Sequence, residues 1–180
     1  MYQHGGVFDY VAKMSNGRLG LSRGACGVFY MDGGTIDWTP AGAFLALGES
    51  DNPTLGPDSF STFTLDGADA YADFGNKTAW LGNRTNHTAV INLNNGGTLR
   101  NGVIAAGDSL TADRQTLASY LNFDGGVFRA AGNISMFRDE VAKKPDAVTV
   151  YPGGAVLDTD QYTLTVNAPL ERPAGSGVAS

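Results

Sequence analysis

One cysteine, two histidines and a charged fraction of only 17% leave this 180-residue chain short of most catalytic and metal-binding chemistry. The lone Cys26 excludes an internal disulfide and a CxxC metal pair, and as a small hydrophobe it is expected to be buried. His4 and His87 lie far apart with no cysteine or glutamate at ligand spacing, so no metal site is expected. A GxSxG elbow, a P-loop and a dinucleotide fingerprint are all missing, so no catalytic residue and no cofactor is assigned. No run reaches the ~18 apolar residues of a membrane helix, and the opening MYQHGG has no signal-peptide pattern. A net charge of −6 would repel phosphates and argues against a nucleic-acid partner.

Glycine is abundant, at 25 residues, and it is periodic. It recurs between short alternating apolar runs in QHGGVFDY, YMDGGTID, TLDGADAY, LNNGGTLR, NFDGGVFR and VYPGGAVL. The first glycines are Gly5, Gly33, Gly67, Gly96, Gly125 and Gly153, giving steps of 28, 34, 29, 29 and 28 residues. A repeat of this length over nearly the whole chain predicts stacked coils, each unable to bury its apolar face alone. Apolar residues make up 42%, enough to drive that burial. A second landmark, an apolar residue and then glycine, falls at Gly20, Gly48, Gly82 and Gly107. Each repeat therefore reads as one strand ending at that glycine, a variable loop, and a strand pair bent at the Gly-Gly corner.

Alternation assigns the inward side chains. Three residues after each first corner glycine stand Phe8, Ile36, Ala70, Leu99, Phe128 and Val156, predicted to form one interior column. Before the corner come Phe29/Met31, Phe63/Leu65, Ile91/Leu93, Leu121/Phe123 and Val148/Val150, the third and fifth pairs displaced by one residue. Leu19, Leu47, Leu81 and Ala106 precede the other landmark and form a third column. The segment 48–59, rich in proline and glycine, reads as a surface loop. In 134–147, Ile134, Phe137 and Val141 stand at helical spacing with Pro145 beyond, which predicts a short helix across the final coil. The fold expected is all-β: a right-handed parallel β-helix of about five coils with one short helical excursion, a rod of about 24 Å. Residues 1–180 form a single solenoid segment, expected to be part of a longer repeat protein.

The phrases LNFDGGVFRAAGN and VTVYPGGAVLDTDQYTLTVNAPLERPAGSGV resemble autotransporter-associated β-strand repeats over roughly residues 17–178. The resemblance implies a passenger region of a large bacterial surface protein, exported to the cell surface or beyond, with adhesin-like display. It brings no catalytic residues with it. No stretch of these 180 residues is expected to form the C-terminal outer-membrane barrel that anchors such proteins.

Two outward sets are candidates for chemistry. Four residues after the corner glycines stand Asp9, Asp37, Tyr71, Arg100, Arg129 and Leu157, an acidic-to-basic ladder. Carboxylates that hold Ca²⁺ and arginines that hold uronates would suit a polysaccharide-active enzyme, whereas a solvated face is the plainer reading. Asp32, Asp66 and Asp124 precede corner glycines and read as turn residues. Tyr30, Tyr71, Trp80 and Tyr120 face outward by alternation and are the candidate binding residues, through stacking on sugar faces. The sequence reading is thus a non-enzymatic structural or adhesin-like repeat, with a carbohydrate-binding β-helix and a polysaccharide-active enzyme as alternatives. Its expected partners are a host or environmental glycan or protein, with self-association through an exposed solenoid end.

Overall fold

The computed structural model describes residues 2–9, 18–21, 26–39, 44–48, 59–82, 87–107 and 118–174. The first coil contributes β1 (Tyr2–Asp9) and β2 (Arg18–Leu21), and the second β3 (Gly27–Asp37) and β4 (Phe44–Leu47). The third holds β5 (Phe60–Asp66), β6 (Ala70–Asp73) and β7 (Ala79–Leu81), and the fourth β8 (Thr88–Asn94), β9 (Thr98–Asn101) and β10 (Ile104–Ala106). Beyond them lie β11 (Ala118–Asp124), β12 (Gly126–Ala130) and β13 (Ile134–Ser135), then β14 (Ala147–Val150), β15 (Ala155–Asp158) and β16 (Leu164–Thr165). Among the described residues all strand-to-strand pairings are parallel, each strand lying beside its counterpart one coil away.

This is the predicted all-β parallel solenoid. Its first side stacks the leading halves of β1 and β3 with β5, β8, β11 and β14, and its second the trailing halves with β6, β9, β12 and β15. A third side, β2-β4-β7-β10, has four strands, so the stack makes about four turns against the five expected. Beyond β10 this side continues through the parallel bridge Ile104–Phe137 and the β13–β16 pair.

The corners explain why glycine comes in pairs. At each of the six corners one glycine has a positive φ: Gly6, Gly34, Gly67, Gly96, Gly125 and Gly154. The other glycine can serve the stacking. A Cβ on Gly126 would overlap the Leu93 backbone of the preceding coil, and one on Gly97 would overlap the Leu65 carbonyl.

On the first side the predicted pairs all keep their register, and all but Val150 are buried. Phe29 pairs with Phe63, Phe63 with Ile91, Ile91 with Leu121 and Leu121 with Val148. Met31, Leu65, Leu93, Phe123 and Val150 form the parallel column, including both one-residue shifts. In the first of these columns the Phe29 and Phe63 rings stack 5.0 Å apart, and Phe74, just beyond β6, meets Phe63 edge-on at 6.2 Å.

The second side corrects the predicted column at two places. Ile36 pairs with Ala72, not Ala70, and Phe128 pairs with Leu157, not Val156. The real column is Ile36, Ala72, Leu99, Phe128 and Leu157, with the Phe8 backbone in register before it. At the third corner a turn bonded from Ala70 N to Gly67 O takes up two further residues, so Ala70 is buried one step earlier. At the sixth, Pro152 adds one residue, and a one-residue slip turns Val156 outward, where it is 51% exposed. On the third side Leu47, Leu81 and Ala106 align as predicted, but Leu19 pairs with Leu45, and Leu21 takes the column position.

The helix expected over 134–147 is replaced by strand. Ile134 and Met136 donate to Thr163 and Thr165 of the next coil, and Met136 accepts from Ile104 of the previous one. Those ladder bonds and full burial of Phe137 satisfy this stretch better than an isolated helical turn could. Only a 3-10 turn, Val141–Lys143, remains, with Val141 84% exposed. Cys26, expected in the core, is exposed just before β3. The predicted loop falls largely on residues 49–58, outside the described residues.

Candidate functional site

The charged ladder exists, with two of its members corrected. Strand register aligns Asp9, Asp37, Asp73, Arg100, Arg129 and Asp158, so Asp73 and Asp158 replace Tyr71 and Leu157. Arg100 donates from Nη1 to both carboxylate oxygens of Asp73 at 3.0 Å, and Arg129 from Nε to Asp158 Oδ2 at 2.6 Å. The Asp37, Asp73 and Asp158 carboxylates also accept a backbone N–H two residues on, from Thr39, Gly75 and Asp160 in turn. The Asp160 N–H and then Arg129 hold the Asp158 carboxyl below its ordinary range. Both guanidinium groups are thus engaged coil to coil, and the ladder fastens neighbouring turns together.

The four aromatic candidates do not converge on one site. Tyr30, on the first side, donates to Asp66 Oδ2 at 2.6 Å and stacks on Tyr2 at 5.3 Å. The bond to Asp66, with burial, pushes its phenol up to about 12. Tyr120 is on the same side but in another column, between Val90 and Ala147. Tyr71 lies on the second side, where burial and then Asp73 raise its phenol. Trp80 is on the third side, paired with Ala46 and Ala105, its ring met by Arg138 at 5.7 Å and Lys143 at 5.5 Å. Those cations occupy the π surface that a sugar would need.

The corner aspartates look outward to other coils. Asp32 accepts from Tyr2 at 2.6 Å and binds His4 Nδ1 at 2.8 Å, interactions that lower its carboxyl in that order. Asp66 also accepts from Asn95, and Asp124 from the Gly153 N–H. Beside them Asn122 donates to Asn92, and Asn92 to Thr64, in a rung-by-rung amide ladder.

Two arrangements went unpredicted. His87, 2% exposed, lies between Ser59 Oγ at 3.0 Å from Nδ1 and Ser61 Oγ at 2.9 Å from Nε2, its ring packed on Gly48. Ser61 donates its proton to Leu21 O, which assigns the imidazole proton to Nε2 and leaves Nδ1 to accept from Ser59. Burial lowers this imidazole to about 4.

The second is a cleft of about 460 Å³ at the junction of the second and third sides. Asn76, Asn133, Arg138, Asp139 and Glu140 line it beside the partly exposed Val103 and Ile134. Gly102 and Gly132 shape it: a Cβ on Gly102 would meet Asn76 Oδ1 at 2.8 Å, and one on Gly132 would meet Asn76 Nδ2 at 2.9 Å. Its residues come from the corners of successive coils, so only the stacking brings them together.

Among the described residues no three His, Cys, Asp or Glu side chains group to hold a metal, and no helix is long and apolar enough to cross a membrane. Comparison with protein-family models, curated proteins and solved structures found no match to this chain.

Proposed function

We propose, from geometry and sequence pattern alone, that this β-solenoid is a non-enzymatic structural and adhesin-like repeat of a secreted or surface-displayed bacterial protein. One observation carries the reading: outward polar groups are engaged with the neighbouring coil. Arg100 holds Asp73, Arg129 holds Asp158, Tyr30 holds Asp66, and Asn122, Asn92 and Thr64 form a chain. Such cross-rung bonds stiffen a rod and leave few groups poised for reaction. The resemblance of LNFDGGVFRAAGN and its companion phrase to autotransporter-associated repeats supports display at the bacterial surface. A host or environmental glycan or protein is the partner this role implies.

The test is protease shaving of intact source cells, read by antibody against this chain, beside a reducing-end assay on acidic polysaccharides. Surface cleavage without released sugar ends is expected. A chain protected until the cells are lysed, or measurable release of sugar ends, would overturn the proposal.

A further inference from the structure

The geometry points to the cleft at Asn76 and Arg138 as a binding site for a non-acidic saccharide unit, neutral or amino-bearing. Its volume of about 460 Å³ falls at the small end of ligand pockets and suits one or two sugar rings. Asn76 carries the inference. Gly102 and Gly132 let its amide lie close against two successive coils, yet neither Oδ1 nor Nδ2 has a hydrogen-bond partner among the described residues. A positioned amide with both capacities open is suited to a hydroxyl, which donates and accepts at once.

The surrounding groups extend that pattern. Asn133 Oδ1 accepts from the Thr163 N–H, and its Nδ2 has no partner among the described residues. Arg138 lies against Trp80, its Nε buried without an acceptor and its Nη2 making only a 3.5 Å contact to Thr78 Oγ1. Asp139 accepts one bond from Asn167, while the exposed Glu140 carboxylate makes none among the described residues. Among the lining side chains two carboxylates stand against one guanidinium, with Lys143 set back on the Trp80 ring, and this acidic excess disfavours uronates, sulfated sugars and phosphates relative to a neutral or protonated amino sugar. Ile134 and Val103, both partly exposed, supply an apolar surface for the C–H face of a ring. None of the aromatic candidates lines this cleft, and the inference stands apart from where the rod is displayed.

Ligand-observed NMR and calorimetry on the full chain would test it, with galactose, N-acetylglucosamine, glucosamine and glucuronate as probes. At least one of the first three is expected to bind saturably and more tightly than glucuronate. Asn76→Ala should weaken that binding about tenfold, the size of one or two lost hydrogen bonds. Tyr120→Ala should leave it unchanged, and Glu140→Gln should remove any preference for glucosamine over galactose. If Asn76→Ala does not fold, as read by circular dichroism, Asn76→Asp retains the shape and should still weaken binding of the uncharged galactose and N-acetylglucosamine, because a carboxylate oxygen replaces the Nδ2 donor. Failure of all three non-acidic sugars to bind, tighter binding of glucuronate, or binding lost with Tyr120 and indifferent to Asn76 would overturn the assignment.

Discussion

Leu99 and Phe128 occupy the same position in adjacent coils, paired in register between β9 and β12, and both side chains are fully buried. Next to them along the strands, Arg100 pairs with Arg129 on the outer face. Replacing either inner residue by Ala should cost about 3–5 kcal/mol through lost burial and a residual cavity. Arg129→Ala, which breaks a partly exposed ion pair with Asp158, should cost no more than about 1 kcal/mol. Urea unfolding followed by circular dichroism measures both. Similar losses at inner and outer positions would contradict the observed alternation.

The sixth corner offers a sharper test, because neighbouring residues changed roles there. Val156 is half exposed, while Leu157 packs against the core in line with Phe128. Val156→Thr should be near neutral, within about 0.5 kcal/mol, and Leu157→Thr should cost about 1–2 kcal/mol. A reversed order would restore the register that simple glycine counting predicts.

His87 should make stability depend on pH in one direction. Its folded value of about 4 lies below the ordinary imidazole value near 6.5, so the unfolded chain binds the proton more readily. The contribution is fully present above pH ~6.5 and is lost progressively as pH falls toward ~4, amounting to roughly 3 kcal/mol. His87→Gln should flatten that part of the stability profile, whatever it does to the absolute level. Denaturant midpoints from pH 7 to 4.5 for both proteins would show it. An unchanged slope in the variant would remove His87 as the cause.

Glycine substitutions should separate conformational from steric need. Gly75 has φ +59° with open space around it, so Gly75→Ala should cost about 1 kcal/mol from backbone strain. A Cβ on Gly126 would run into the Leu93 backbone, and Gly126→Ala should cost more, about 2–4 kcal/mol. Thermal unfolding of the two variants ranks the effects, and equal shifts would refute the close-approach account.

Self-association is expected through the first coil. At the other end of the first side, Glu171 bonds in both directions with β14, through Val150 N and Val148 O, covering that edge. Among the described residues no strand covers the outer edge of β1. Light scattering over a concentration series should detect association that Val7→Lys reduces. A monomer at all concentrations, or an oligomer insensitive to the change, would reject this route.

The sequence made the solenoid and the whole interior of its first side legible, because strand alternation there runs unbroken up to the corner. Glycine spacing was a poorer guide beyond it: Ala70, Val156 and Leu19 missed their columns where corners carried extra residues or the glycine did not mark the bend. The helix at 134–147 was misread because Ile134 and Phe137 fit helical spacing and strand pairing alike. The His87 cage and the Asn76 cleft left no local signal at all. Ser59 and His87 are 28 residues apart, and Asn76 reaches the cleft wall only across two further coils.

The corners also bear on how such a rod can change length. Between paired inner positions they take four residues from Met31 to Ile36, six from Leu65 to Ala72 and five from Leu93 to Leu99. Odd and even counts both return the next strand with its apolar side inward, so the inside–outside parity set on one side is not inherited by the next. Each side keeps its own phase through its ladder of hydrogen bonds, and the corner erases mismatch between them. A residue gained or lost inside a strand inverts everything after it up to the next bend, while the same event at a corner has no effect on register. Length drift in this chain can therefore be taken up at bends while the parallel ladders keep their register, and the period wanders from 28 to 34 residues without breaking the stack of paired strands.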